Sequence, residues 1–301
     1  MADLMISFAQ NQEDVLLDRL FPRDHKGLFI DVGANHPMHC SVTKHFYDLG
    51  WTGINIEPAR VFDELAAKRP RDINMQVAVS DEDGEATFYE FSKEYSTDST
   101  LDTGVASEND RFAEHCTPRK VQVRSLRSIF AEHVGPRVVD FLSIDVEGHE
   151  EKVIRGADWK ACRPRVVVVE STRPHRREMA DIRWERHLLA ADYLFAFFDG
   201  LNRYYVRAED PHFLELLSTP VCIFDEYVSL GQVFRFLLLQ RQELSPDTKA
   251  LVDSVTRSIA ANGFDNRVTH IDGFWWLLKH RLKQRFPTAI RLLNRTLRRS
   301  A

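Results

Sequence analysis

Several short apolar runs in this chain end in an acidic residue, and the spacing of those acids suggests a nucleoside site. The run LFIDVG (28–33) passes through Asp31, and Gly33, Ala34 and Asn35 follow as a small-residue turn. At the carboxyl end of a strand, such a turn lets backbone N–H groups approach a ligand closely. TGINIEP (52–58) ends in Glu57, 26 residues after Asp31. A carboxylate there accepts hydrogen bonds from both hydroxyls of a ribose that lacks a 2′-phosphate. In the third run, Ala78, Val79 and Ser80 would wall an adenine ring. The glycine spacing argues against a dinucleotide: Ala34, Asn35, His36, Pro37 and Met38 follow Gly33, with no second or third glycine to cradle a pyrophosphate.

The densest titratable cluster is Ser143-Ile144-Asp145-Val146-Glu147-Gly148-His149-Glu150. Read as strand, Asp145, Glu147 and His149 alternate and point to one side, so two carboxylates and an imidazole converge. His149 is the natural general base near neutral pH, with a neighbouring carboxylate to raise its basicity. RVVVVES (165–171) places Glu170 after four valines, where an acid needs a partner or a role. These four are the candidate catalytic residues. Asp145, Glu147 and Glu170 would also suit a hard cation such as Mg²⁺, but with no D-x-D or H-x-H signature no metal is predicted. The plainer reading of Asp145 and Glu147 is that they cap the helix begun by EGHEEKVIRG, with His149 an ordinary first-turn residue.

The elements that must carry these residues alternate between β-rich runs and segments of helical spacing, which implies a parallel sheet covered by helices. The runs are residues 28–33, 52–58, 73–81, 138–148 and 165–171, with YLFAFFDG and RYYVR as a closing pair. They read as near-continuous Val, Ile and Phe, as strands buried on both faces do. SVTKHFYDLG and ARVFDELAAKRP are the helices between them, stopped by Gly50 and Pro70. Residues 92–120, polar and rich in Ser, Thr and Asp, interrupt the rhythm as a lid or substrate loop. Three regions result: an N-terminal helical cap segment (1–27), the α/β domain (28–210) and a helical extension (211–301).

Net charge is −5, so no global positive field favours nucleic acid. The charge is uneven. From Lys279 onward there are eight Lys and Arg and no acid, interleaved with Trp275, Trp276, Leu282 and Phe286. The stretch 275–301 could therefore lie on an anionic membrane surface, or simply present a solvated basic face. The C-terminal helices are a candidate surface for self-association. The four cysteines form no CxxC pair, which with the absence of a secretory signal or long apolar run implies a cytoplasmic protein, at most peripheral to the membrane.

The ordered set ISFAQNQEDVLL, FIDVGANHPMHCSVTKHFYDLGWTGINIEP, AVSDEDGEATFYEF, STL, VRSLRSIF, DFLSIDVEGHEEKVIRGADW and PRVVVVES resembles the FkbM family of class I S-adenosylmethionine-dependent methyltransferases, over residues 6–172. The resemblance implies a Rossmann-like, doubly wound, mainly parallel sheet of seven strands. It implies O-methylation of a hydroxyl on a sugar, polysaccharide, glycolipid or natural product, with S-adenosylmethionine as cofactor. Asp31, Gly33 and Asn35 would then surround the methionine part, Glu57 the ribose, Ala78 to Ser80 the adenine, and Asp145 the sulfonium. Gln10 and Glu13, before the first strand, and Ser99 and Thr100, in the insertion, become candidates to contact the acceptor. Where many relatives have a further glycine after the Asn, this chain has His36-Pro37, so His36 is a further candidate to face substrate. The competing readings are an NAD-linked oxidoreductase acting on a nucleotide sugar, and a non-catalytic module that binds a glycan or a partner.

Overall fold

In the computed structural model, which describes residues 5–92, 97–109, 112–173 and 178–232, the apolar runs become strands that alternate their side chains between two separate cores. The strands are β1 (Met5–Ser7), β2 (Leu28–Val32), β3 (Thr52–Ile56), β4 (Ile73–Met75), β5 (Ala78–Ser80), β6 (Gly84–Phe91), β7 (Cys116–Ser125), β8 (Phe141–Ile144), β9 (Val166–Glu170), β10 (Tyr193–Phe198), β11 (Asn202–Arg207) and β12 (Tyr227–Ser229). Seven form the main sheet, in the order β10-β11-β9-β8-β2-β3-β4. The sheet is mixed: the ladders among β4, β3, β2, β8 and β9 are parallel, and both ladders of β11 are antiparallel.

Leu28, Ile30 and Val32 of β2 face one core with Val153, Ile154 and Leu188 from helices Glu150–Arg155 and Glu185–Leu189. Phe29 faces the other with Phe46 and Leu217 from helices Lys44–Asp48 and Phe213–Leu217. Burial of each such side chain contributes about 1.5–3 kcal/mol, so a sheet covered on both faces is strongly held in register. That register matters for the site. Ile56, Val32, Ile144 and Val169 lie side by side, so Glu57, Gly33, Asp145 and Glu170 emerge together at the carboxyl edge. From β2 the chain winds outward through β3 and β4 and returns through β8 and β9 on the other side, so the switch point falls between β2 and β8, where open α/β sheets bind ligands.

Four expectations from the sequence change. Residues 73–81 are two strands: β4 closes the main sheet, whereas β5 joins a separate three-stranded sheet in the order β5-β7-β6. The last residues of the 92–120 insertion belong to β7, because Cys116 to Lys120 pair antiparallel with Phe91 to Thr87 of β6. The N-terminal segment is not helical throughout: β1 pairs in parallel with β12, so a strand also occurs beyond residue 211, where only helix was expected. Residues 145–149 are not strand. Glu147 (φ +52°) and Gly148 (φ +97°) turn the chain before the helix at Glu150. The helices expected beyond residue 232, and the basic stretch 275–301, lie outside the described residues. No described helix is long and apolar enough to cross a membrane.

Candidate active site

A cleft of about 760 Å³ opens over the carboxyl ends of β2, β3 and β8. Its first wall is the turn after β2. Gly33 and Ala34 donate to Ile56 O (2.9 and 3.2 Å), and Asp145 N donates to Val32 O (3.0 Å). Gly33 is at φ +85°, and a Cβ there would lie 1.7 Å from Asp145 O. Only glycine permits this approach of two strand ends.

Glu57 is buried, and both of its oxygens accept backbone hydrogen bonds, from Asn35 N and Ala59 N, at 2.7 Å each. Each oxygen keeps a second lone pair for a ligand. Burial pushes its carboxyl up to about 7, against the lowering effect of those two bonds. Beside it, Ile56, Pro58, Val77, Ala78, Val79 and Phe88 make an apolar wall suited to a flat ring. Ser80 is not part of that wall; its hydroxyl is 3.0 Å from His149 Nε2.

The far side of the cleft is acidic. Asp145 and Glu147 line it, and Glu170 stands behind, with carboxylate oxygens of all three within 4.8 Å of one another. Asp145 opens onto the cleft, although protein crowds its other sides. Burial raises all three carboxyl pKa values, and the neighbouring Asp145 raises Glu147 and Glu170 further. A hydrogen bond joins Glu170 to Asp145, lowering the pKa of Asp145 and raising that of Glu170. Glu170 is therefore the donor of that hydrogen bond and Asp145 the acceptor. Their spacing also suits them as oxygen donors to a cation.

His149 reaches the cleft wall but lacks the expected basicity. Burial and Lys152 push its imidazole down to about 4, so it is neutral at physiological pH. The turn at Glu147 and Gly148 breaks the strand before His149, whose Nε2 meets the Ser80 hydroxyl and not a carboxylate.

Several acids and bases anchor the site instead of lining it. Asp31 accepts from Thr43 Oγ1 (2.8 Å) and is buried, its carboxyl pushed up to about 6. Arg69, 1% exposed, donates to Pro37 O (2.7 Å), Ser41 Oγ (3.0 Å) and Thr43 O (3.4 Å). It thereby fixes the loop that stands where a glycine-rich turn was absent. His36 belongs to this scaffold: its Nδ1 accepts from Met38 N and His39 N, and its Nε2 is 3.3 Å from Glu64, so it turns away from the cleft. Glu13 is buried, accepts from Asn202 Nδ2 (2.7 Å) and Asn11 N (2.8 Å), and is pushed up to about 8 by burial. It holds the N-terminal segment while Gln10 lines the cleft. Ser99 lines the cleft, whereas Thr100, 1% exposed, does not.

The sequence reading did not single out Cys40, Phe88, Thr97 or Leu101 as cleft residues, or Arg69 as the loop anchor. Phe88 had a signal in the β-rich residues of GEATFYEF around it, and the others had none. The model of the methyltransferase FkbM domain matches residues 31–195, a span that holds every cleft-lining residue except Gln10. The chain belongs to this methyltransferase family. No curated protein matches it. In the methyltransferase, the matched span begins at Asp31 and includes the Asp145–Glu147 turn, Glu170 and the insertion over the cleft.

Proposed function

We propose that the methyltransferase uses S-adenosylmethionine and methylates a hydroxyl of a carbohydrate, glycolipid or natural-product acceptor, on a Rossmann-like sheet. The observation that carries the reading is Glu57, a buried carboxylate that lines the cleft and is held by two backbone donors, next to the Gly33–Asp145 approach and an apolar wall. These features fit a ribose, an extended amino-acid part and an adenine ring, and they offer no cradle for a pyrophosphate. When bound, S-adenosylmethionine supplies a methyl group already activated by its sulfonium.

Much of what the protein must add is orientation. Holding an acceptor in line with the methyl replaces a bimolecular encounter by a positioned one. Gln10, Thr97 and Ser99 offer neutral hydrogen-bonding groups on the acceptor side of the cleft. In its hydrogen bond with Glu170, Asp145 is the acceptor, so Asp145 is the group that takes the hydroxyl proton as the new C–O bond forms and the methyl–sulfur bond breaks. Asp145 and Glu147 also balance positive charge before transfer. His149 Nε2 is engaged by the Ser80 hydroxyl, and its role is to orient Ser80.

The test is transfer of tritiated methyl from S-adenosylmethionine to a panel of neutral glycosides and polyols. Label in a base-stable ether supports the reading. Label only in a base-labile ester, or turnover of a nicotinamide cofactor instead, refutes it.

A further inference from the structure

The insertion does more than cover the cleft, because it is fastened to the turn that carries the carboxylates. Thr100 Oγ1 donates to Glu147 O (2.8 Å) and accepts from Asp102 N (2.9 Å). Its own backbone is fixed by two hydrogen bonds with Tyr89 of β6 (2.9 and 3.2 Å). One residue along, Ser99 lines the cleft, and Asp102 caps helix Thr103–Glu108 by accepting from Val105 N (3.0 Å).

The turn needs such fastening. Glu147 is a non-glycine residue at φ +52°, a conformation that persists only where the surroundings hold it. From below, Glu150 Oε1 accepts from Gly148 N (3.0 Å) and, more weakly, from Val146 N (3.4 Å). From above, two contacts among the described residues come from the insertion. One is the Thr100 hydrogen bond. The other is Val105, whose Cγ2 lies 2.6 Å from where a Cβ on Gly148 would be. The peptide carrying the Glu147 carboxylate is therefore gripped between its own helix and the insertion.

We propose that Thr100 is a positioning residue: by fastening the insertion to the Glu147 carbonyl, it sets the Asp145–Glu147 carboxylates against the positive charge of the cofactor. This inference rests on the S-adenosylmethionine reading and goes beyond it, since it ties order in the acceptor-side insertion to charge recognition on the cofactor side. S-adenosylmethionine and S-adenosylhomocysteine differ by one methyl group and one positive charge, so the ratio of their affinities reports where the carboxylates stand. A general loss of structure weakens both ligands alike and leaves the ratio unchanged.

The experiment is calorimetric titration of both nucleosides into the full-length wild type and into Thr100→Val, Thr100→Ser and Val105→Ala. Thr100→Val keeps the shape and removes the hydroxyl. It is expected to weaken S-adenosylmethionine about tenfold while S-adenosylhomocysteine stays within twofold, and Thr100→Ser is expected to restore both. Val105→Ala, which loosens the second grip without touching the hydrogen bond, is expected to move the ratio the same way by about threefold. An unchanged ratio in Thr100→Val, or a parallel loss of both ligands, overturns the proposal. If Thr100→Val does not fold, an unchanged ratio in Val105→Ala does the same. If the wild type binds neither nucleoside, the cofactor reading itself fails and takes this inference with it.

Discussion

Replacing Glu57 by Gln removes one charge and one acceptor from the floor of the cleft while keeping its shape. Both Glu57 oxygens accept backbone N–H groups at 2.7 Å, whereas an amide has a single acceptor oxygen. One of the two donors, Asn35 N or Ala59 N, must therefore face an NH₂ group. A hydrogen bond to a charged group contributes about 1.5–3 kcal/mol, and the ribose loses at least one such bond. A loss of about 2 kcal/mol corresponds to a roughly 30-fold rise in the Kd for S-adenosylhomocysteine. The pH dependence is sharper still. Burial raises the Glu57 carboxyl from 4.5 to about 7, with the neighbouring Asp31 and Glu90 adding to the rise. The ribose hydroxyls donate to the ionised form, so the proton must leave before binding. Affinity therefore rises with pH through about 7 and levels off above about 8. Between pH 8 and pH 6 the ionised fraction falls about tenfold, and affinity falls with it. Glu57→Gln abolishes that dependence. Calorimetry of S-adenosylhomocysteine at pH 6, 7 and 8 measures both effects. An affinity within twofold of wild type, or a variant that keeps the wild-type pH slope, refutes the assignment.

Gly33→Ala forces a Cβ to within 1.7 Å of Asp145 O at φ +85°, and is expected to destabilise the fold by about 2–4 kcal/mol and to abolish nucleoside binding; a melting temperature within 1 °C of wild type contradicts this. Asp145→Asn is expected to slow methyl transfer by about 10²- to 10⁴-fold with S-adenosylhomocysteine still bound, whereas His149→Asn costs less than about tenfold. The reverse ranking, measured as kcat with any accepted acceptor, would return the role of base to His149. Arg69→Met leaves the Pro37 and Thr43 carbonyls without their buried donor and is expected to cost about 3 kcal/mol or more in urea unfolding. A cost below about 1 kcal/mol would mean that the loop after β2 holds itself.

Runs such as LFIDV and VVVVE could be read from the sequence because a strand buried on both faces leaves a continuous apolar record. The position of Glu57 was equally legible, since it directly follows the apolar run that becomes β3. The misreadings share one cause: they depend on backbone torsion or long-range partners that residue type does not encode. Glu147 adopts φ +52°, so the alternation that seemed to aim Asp145, Glu147 and His149 to one side stops at Ile144. The break between Met75 and Ala78 moves Val79 into a different sheet from Ile73, although the run INMQVAVSD shows no punctuation. His36 follows the small-residue turn, yet it is claimed by the N–H groups of Met38 and His39, two and three residues on. Glu13 finds its partner in Asn202, 189 residues away, and β1 finds β12 in the same way. Nothing in the residues around Arg69 marks it, and only the fold shows that it anchors the loop after β2 through Pro37, Ser41 and Thr43.

Which nucleoside, if any, binds in the cleft decides between the methyltransferase cofactor and the nicotinamide alternative. Titrating S-adenosylhomocysteine, S-adenosylmethionine and NAD into the folded wild-type protein tests the cofactor reading most directly. The predicted result is one site for each sulfur nucleoside and none for NAD. Binding of NAD without the sulfur nucleosides, or of none of the three, would contradict it.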